Sequence, residues 1–499
     1  MPAEHQIAYF LRELAAAEAD PQRRAAAAKG LGRLGRTEHA VHLARAAGDG
    51  EPAVRAAAAQ ALGRLGAGET GAEVLPGLLA DEDPDVRRRA SLAAIRLGLR
   101  GPAVTEAFTR LLRDPDRHVR INALVGLDAL DAPHDVPALV ELLGDPDEAV
   151  WKRARTLVYR WAGDPAVRAQ VVRMAREGVG AARARALDML PARCTEPLLD
   201  SLLAGLRDTS PQVRTAVARR LVHTESGTSG DALAAAVEDE REPEVAALLL
   251  EGLAQRGDER ATGPAVRWLR DPLAGPAAAR TLGDLDTPDA AEHLRTALDD
   301  PALPGASRAA AAVAIGKSGA WDAVWQLLPL LDDPDATLRA GVVDGLGASV
   351  DGGLRLWERH PVAWALADHL TSDGADVWRT RNALDGLAQA LPSLRRLADD
   401  APSGEVRAAA LSLLDPDDAT DANSRKDVRR FVRGLDDPHE AVRYHAALGL
   451  TRWTAATGTP PPDTGRLRER LHALTADTSP RLRRAAADAL AALAPDPGE

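Results

Sequence analysis

Asp83-Pro84-Asp85-Val86-Arg87-Arg88-Arg89-Ala90-Ser91-Leu92-Ala93-Ala94-Ile95-Arg96-Leu97-Gly98 is the stretch whose reading decides the fold. It has the chemistry of one helix. The Asp83 carboxylate can accept from the first backbone N–H groups, which have no partner inside a helix. Pro84 then falls at the first helical position, where its missing N–H costs nothing. Asp85 adds negative charge at the positive end of the helix dipole. Val86, Ala90, Ala93 and Leu97 repeat at the helical period and mark the buried face. Gly98 suits a left-handed C-terminal cap. Just upstream, Val74-Leu75-Pro76-Gly77-Leu78-Leu79 supplies the apolar face of a partner helix.

The phrase recurs along the chain, and recurrence at one period is the signature of a stacked array. Anchored on the aliphatic residue, copies fall at Val54, Val86, Val119, Val150, Ala182, Val213 and Val245, in steps of 32, 33, 31, 32, 31 and 32. Leu338 follows 93 residues after Val245, three steps of 31 with two blurred copies between. Val377, Val406, Val442 and Leu482 continue it with looser steps, and Arg23, 31 residues before Val54, begins it. About fifteen two-helix units result, stacked into an all-α, right-handed α-solenoid. Alternating β-branched runs are absent, so no strand is expected.

Interruptions in the period predict surface loops at 223–231, 415–427 and 457–465. The organisation read from the chain is a repeat array over 1–347, an irregular tryptophan-containing insertion over 348–376, and further repeats with longer loops over 377–499.

The 499 residues are 45% hydrophobic and 27% charged, a globular balance. With aromatics at 3%, alanine and aliphatic side chains must fill the core. Four lysines among 62 basic residues, with abundant Ala and Gly, point to a GC-rich bacterial genome. The single cysteine, Cys194, excludes an internal disulfide and any multi-thiolate metal site, which fits a reducing cytoplasm. The first twenty residues read as an amphipathic helix, not a signal peptide. No apolar run approaches the roughly 18 residues of a membrane span, so no membrane partner is expected.

The Asp/Val-Arg/Ala/Leu-Gly pattern, as in Val54-Arg55 through Ala61-Leu62-Gly63, resembles the HEAT-repeat family, specifically its bacterial phycobilin-lyase-type HEAT-like form. The resemblance implies an armadillo-type solenoid whose concave groove is lined by the second helix of each unit. It leaves function open, because that family includes scaffolds, chromophore lyases, DNA glycosylases and a hydroxylase.

Catalytic motifs are missing. HEAT-fold iron hydroxylases need several His-Glu pairs, and only His439-Glu440 occurs. His39 and His42 lie three apart with no evident third ligand. Gly316-Lys317-Ser318 has the end of a phosphate-binding loop, but Ala311 stands where its first glycine belongs and no strand precedes it. Cys194, beside Arg193, reads as a packing residue. No cofactor and no metal are expected, and the reading leans towards a non-enzymatic chain.

The arginine after the anchor recurs at Arg55, Arg87, Arg120, Arg183, Arg214, Arg339, Arg407, Arg443 and Arg483. Recurrence in every unit marks structure, here a ladder of charge-assisted hydrogen bonds between successive loops. As surface pairs each would add on the order of 0–1 kcal/mol. Two units break the rule: Trp151 and Trp378 stand at the ladder position, followed by Lys152 and Arg379.

Net charge is −12 and uneven. Residues 194–424 hold 21 basic and 38 acidic side chains. Between Lys152 and Arg193 there are ten basic and three acidic residues, a local +7. Helical projection sets Lys152, Arg155 and Tyr159 opposite the core face with Trp151 beside them. Trp161 projects to the core face, and Trp321 and Trp325 are expected to pack inward.

The reading that follows is a protein-interaction scaffold or adaptor. Trp151, Lys152, Arg155, Tyr159, Trp378 and Arg379 are its candidate concave-face contacts, and the acidic middle favours a basic protein partner. The first alternative is a nucleic-acid-binding or DNA-repair protein using 151–193, with Arg160 also on phosphate. HEAT-like alkylpurine glycosylases resemble that arrangement but need a carboxylate beside the aromatics, and Asp164 and Asp188 are only near in sequence. The second alternative, a chromophore or prosthetic-group lyase, follows from the family resemblance alone.

Overall fold

The structure is a computed structural model. It describes residues 3–16, 20–131, 135–190, 196–222, 227–414, 424–458, 461 and 464–493. Among them the regular elements are all helical: thirty α-helices, alternating as first and second helix of fifteen units, with five short 3-10 turns. Among the described residues no helix is long and apolar enough to cross a membrane.

The local rules act as the sequence dictates. Asp83 accepts from the Asp85 and Val86 amides ahead of helix Pro84–Arg96, and Asp116 and Asp147 do the same for Arg117–Leu130 and Glu148–Arg160. Val86, Ala90 and Ala93 are buried, while Leu97 is only half-buried. Gly98 is left-handed.

The glycine of the Leu-Gly pair usually has a different task. Gly63 lies inside helix Pro52–Leu65, and the left-handed cap is Gly66. A Cβ on Gly63 would sit 2.9 Å from Ala93 Cα of the next second helix, and one on Gly32 would sit 2.7 Å from Ala61 Cα. Glycine and alanine therefore set how closely successive second helices cross.

The chain divides into two compact units, Met1–Ala232 and Leu233–Glu499. In the first, the second helices Pro21–Leu34, Pro52–Leu65, Pro84–Arg96, Arg117–Leu130 and Glu148–Arg160 pack each on the next. The regularity changes there. Helix Gly180–Asp188 packs on the next second helix, Pro211–Val222, on its own partner Pro165–Glu177 and on the turn Leu142–Gly144, and hardly on the preceding second helix Glu148–Arg160. In the second unit the same layer runs through Gly275–Leu285, Gly305–Ser318, Ala336–Asp351, Val377–Ala383, Gly404–Ser412, Glu440–Thr457 and Pro480–Ala492.

Several loop expectations need correction. Residues 227–231 open helix Gly227–Asp239, 424–427 open Ser424–Gly434, and helix Glu440–Thr457 and helix Thr464–Leu474 reach into 457–465. The remaining 223–226, 415–423, 459–460 and 462–463 lie outside the described residues, as does Cys194. Within 348–376, helix Ala336–Asp351 finishes and a full helix, Arg359–His369, follows. The repeat phrase is lost there while helical packing persists: Val362, Ala363 and Leu366 are buried. Trp161 is buried, but Trp325 is 54% exposed, against the inward packing its spacing with Trp321 suggested. Ala323, Val324 and Leu327 take the inward face of that helix instead.

Candidate functional site

The site is best understood from the ladder that it interrupts. Arg87 donates from Nε and Nη2 to both carboxylate oxygens of Asp114, at 2.6 and 3.0 Å. Its Nη1 donates to the carbonyls of Asp81 and Glu82, both at 2.8 Å. Asp114 also accepts from the Asp116 amide, so each rung ties the start of one second helix to the loop before the next. Arg55 does the same with Asp81, Arg120 with Asp145, Arg407 with Asp437 and Arg443 with Asp477.

The rule is compact: the arginine reaches the aspartate six residues before the next arginine. That partner is distant in sequence, and it is neither Asp83 nor Asp85, the acids nearest Arg87. Two rungs missed in the sequence obey it, Arg24 with Asp49 and Arg308 with Asp333. Their period signal was present, since Arg24 lies 31 residues before Arg55 and Arg308 31 before Arg339. Arg339 holds the carbonyls of Asp333 and Pro334, and the acceptor position of its rung is Ser372. Arg214 and Arg483 likewise hold the two carbonyls of their own loops.

The rungs are half-buried to buried, with Asp114 only 4% exposed at its side chain. For Asp81 and Asp437, burial pushes the carboxyl up, but the arginine hydrogen bond and a backbone amide outweigh it and hold each below the usual range. The partner arginines Arg55 and Arg407 are held above theirs, by the aspartate hydrogen bond first.

At Trp151 the rung is absent. Arg185 crosses from helix Gly180–Asp188, and its guanidinium lies 4.0 Å from the Trp151 ring centre. Its Nη1 donates to the carbonyls of Leu143 and Asp145, the loop that a ladder arginine at 151 would have held. Arg155 stands 5.2 Å from the same ring and Lys152 5.8 Å. Lys152 is paired with Glu148. Tyr159 is exposed one turn beyond Arg155, and the structure gives it no contact with the Trp151 ring. The local +7 is largely met from neighbouring repeats: Arg153 and Arg160 pair with Asp128, Arg160 also with Asp131, and Arg183 with Asp208. Asp164 caps its own helix, and Asp188 faces Arg219 at 3.7 Å.

At Trp378 both halves of the rung are absent, because the acceptor position six residues before Arg407 is Ala401. Trp378, 37% exposed, borders a pocket of about 650 Å³ between helices Ala336–Asp351 and Val377–Ala383. Asp344, Asp351, Asp376 and Asp385 line it, with Arg379 and Asn382. Arg379 pairs with Asp344 and, at 3.5 Å, with Asp376. Arg381 reaches Asp385 at 3.4 Å. The Trp378 ring lies 5.5 Å from His445. Burial, then Arg381, Arg452 and Arg481, push His445 down to about 4, so it is neutral at neutral pH.

The structure therefore places Trp151, Lys152 and Arg155 together and Trp378 with Arg379, in different compact units. A further exposed aromatic group, missed by the inward reading, joins Trp321 to Trp325 at 5.2 Å and to Trp357 at 6.2 Å. Among the described residues no group of His, Cys, Asp and Glu could hold a metal ion. Lys317 and Ser318 belong to the end of helix Gly305–Ser318, and His439 precedes helix Glu440–Thr457 while Glu440 pairs with Arg481.

Comparison with known proteins agrees with this architecture. A family profile described as HEAT repeats matches residues 9–96, 72–160 and 230–307. No curated protein matches the chain. Among solved structures, Kap121p is similar with a TM-score of 0.56 at 13% identity, covering 97% of this chain and 65% of that one. Importin beta is similar at 0.52 and 12%, covering 98% and 88%, and Kap95p with RanGDP at 0.51 and 13%, covering 98% and 72%. This chain thus spans less than two thirds of Kap121p, and at such identity the likeness concerns fold alone. Residues 9–160 and 230–307 carry HEAT repeats, and the protein is an all-α HEAT-type solenoid.

Proposed function

We propose that the protein is a non-enzymatic interaction scaffold whose concave face takes a basic protein segment at the Trp378 pocket. The pocket itself carries the reading: four aspartates face one pocket-lining guanidinium around a part-exposed indole, in the acidic part of the chain. A lysine or arginine side chain entering there meets carboxylates on one side and an aromatic face on the other. The exposed Trp325, Trp357 and Trp364 lie in the same compact unit and offer anchor side chains of the kind that dominate protein interfaces. Kap121p has been seen bound to Nup53p, which is support by fold for a protein partner. A nucleic-acid face over 151–193 is the weaker reading, because Asp128, Asp131, Glu148 and Asp208 occupy much of its positive charge.

The test is fluorescence anisotropy of the full chain with a labelled Arg/Gly peptide, against a Glu/Gly peptide of equal length. The basic peptide should bind and the acidic one should not. Trp378→Ala should weaken binding about tenfold or more. Equal binding of both peptides, or no change in Trp378→Ala, would remove the pocket from the account.

A further inference from the structure

Two guanidinium groups share one indole at Trp151, and their charge is not met. Arg155 has no hydrogen bond and no carboxylate partner among the described residues, and it is exposed. Arg185 uses a single terminal nitrogen for its two carbonyl acceptors, leaving Nε and Nη2 without an acceptor among those residues. The acids nearby are already engaged: Asp145 by both donors of Arg120, Glu148 by Lys152, and Asp128 by Arg153 and Arg160. What remains is a cluster with an excess of two positive charges, one of them half-buried.

Two like charges held against one ring repel, and among the described residues only the Asp145 charge and two carbonyls work against this, on Arg185 alone. Burial first, and then the charge of Arg155, push Arg185 below its ordinary value. A dianionic group between the two would relieve both effects. A guanidinium offers parallel N–H donors in a planar fork that matches two oxygens of such a group.

We propose that Trp151, Arg155 and Arg185 form a binding site for a phosphate monoester. Phosphate fits better than a carboxylate because it carries about −1.5 to −2 charges at neutral pH and three acceptor oxygens. A stacked nucleobase fits worse, since Arg185 covers the indole at 4.0 Å. The ester belongs either to a small molecule or to a phosphorylated side chain of a protein. The site is independent of the Trp378 pocket and stands or falls separately from it.

Calorimetric titration of the full chain at low salt tests it, with inorganic phosphate, a phosphoserine peptide, and the same peptide bearing glutamate. Phosphate and the phosphopeptide should bind at one site. Arg155→Gln should weaken both about tenfold, the loss expected for one charge-assisted contact. Arg155 is exposed and its charge opposes that of Arg185, so this variant should melt no lower than wild type. Arg155→Glu should abolish binding and raise the melting temperature of the unliganded chain, because it sets a carboxylate opposite Arg185. Tighter binding of the phosphopeptide than of free phosphate assigns the ester to a protein partner; equal binding assigns it to a small molecule. The proposal is overturned if phosphate fails to bind, if Arg155→Gln binds as well as wild type, or if the glutamate peptide binds as tightly as the phosphopeptide.

Discussion

The Arg87 rung and the Trp151 site occupy the same position in two repeats of one unit, yet their chemistry is opposed. At Arg87 every strong donor is spent inside the fold, on Asp114 and two carbonyls, and no charge is left for a partner. At Trp151 the indole makes no hydrogen bond to the loop, Arg185 crosses over to do so, and Arg155 is left over. Trp378 shows the complementary outcome, with aspartates in excess over arginine. A repeat protein is stable wherever its ladder is complete and has free valence where the ladder is broken. Binding is thus to be sought where the repeat departs from its own rule.

Breaking a complete rung should give the largest effect. Arg87→Ala leaves the buried Asp114 carboxylate without its cation, which costs about 3 kcal/mol. Urea denaturation checks this, with a shift in midpoint expected; a change below about 0.5 kcal/mol would mean that the rungs contribute little. This exceeds the surface-pair value that sequence reading assigns, because burial was not visible there.

The next effect concerns pH. His445 titrates near 4 in the fold and near 6.5 when unfolded, so its neutral form favours the native state. That contribution is full above about pH 6.5 and is lost as pH falls towards 4, on the order of 2 kcal/mol. His445→Gln should flatten the stability curve in this window. The rung aspartates Asp81 and Asp437, held below their usual range, act lower: their contribution is present above about pH 4 and lost as pH falls further. A curve of unchanged slope between pH 6.5 and 4 in His445→Gln would contradict the neutral, half-buried imidazole.

The smallest effect should come from the exposed tryptophans. Trp325→Ala removes one edge-on contact with Trp321 and should cost less than about 1 kcal/mol in thermal or urea unfolding. A larger loss would place that ring in the core after all.

The fold was legible because its signals are local. Asp83 and Pro84 start a helix by chemistry confined to four residues, and the period then supplies the stacking. The rungs were only half legible. Recurrence marked Arg87 and Arg120, but their partners Asp114 and Asp145 lie 27 and 25 residues on, and only the fold brings them together. For the same reason the count between 152 and 193 exceeds the charge left free: Asp128 and Asp208 neutralise part of it from outside that window. The tryptophans at 151 and 378 were visible as exceptions. Their surroundings were not, because Arg185 reaches Trp151 from 34 residues away and His445 meets Trp378 from 67.

The division between complete and broken rungs is tested most directly by measuring stability and peptide binding on the same two variants. Arg87→Ala should lose about 3 kcal/mol in urea and bind the Arg/Gly peptide as wild type does. Trp378→Ala should hold its stability to within about 1 kcal/mol, as expected for a part-exposed ring, and lose binding about tenfold. The reverse pattern, with Arg87→Ala binding poorly at full stability and Trp378→Ala unfolding early with its affinity intact, would contradict the account.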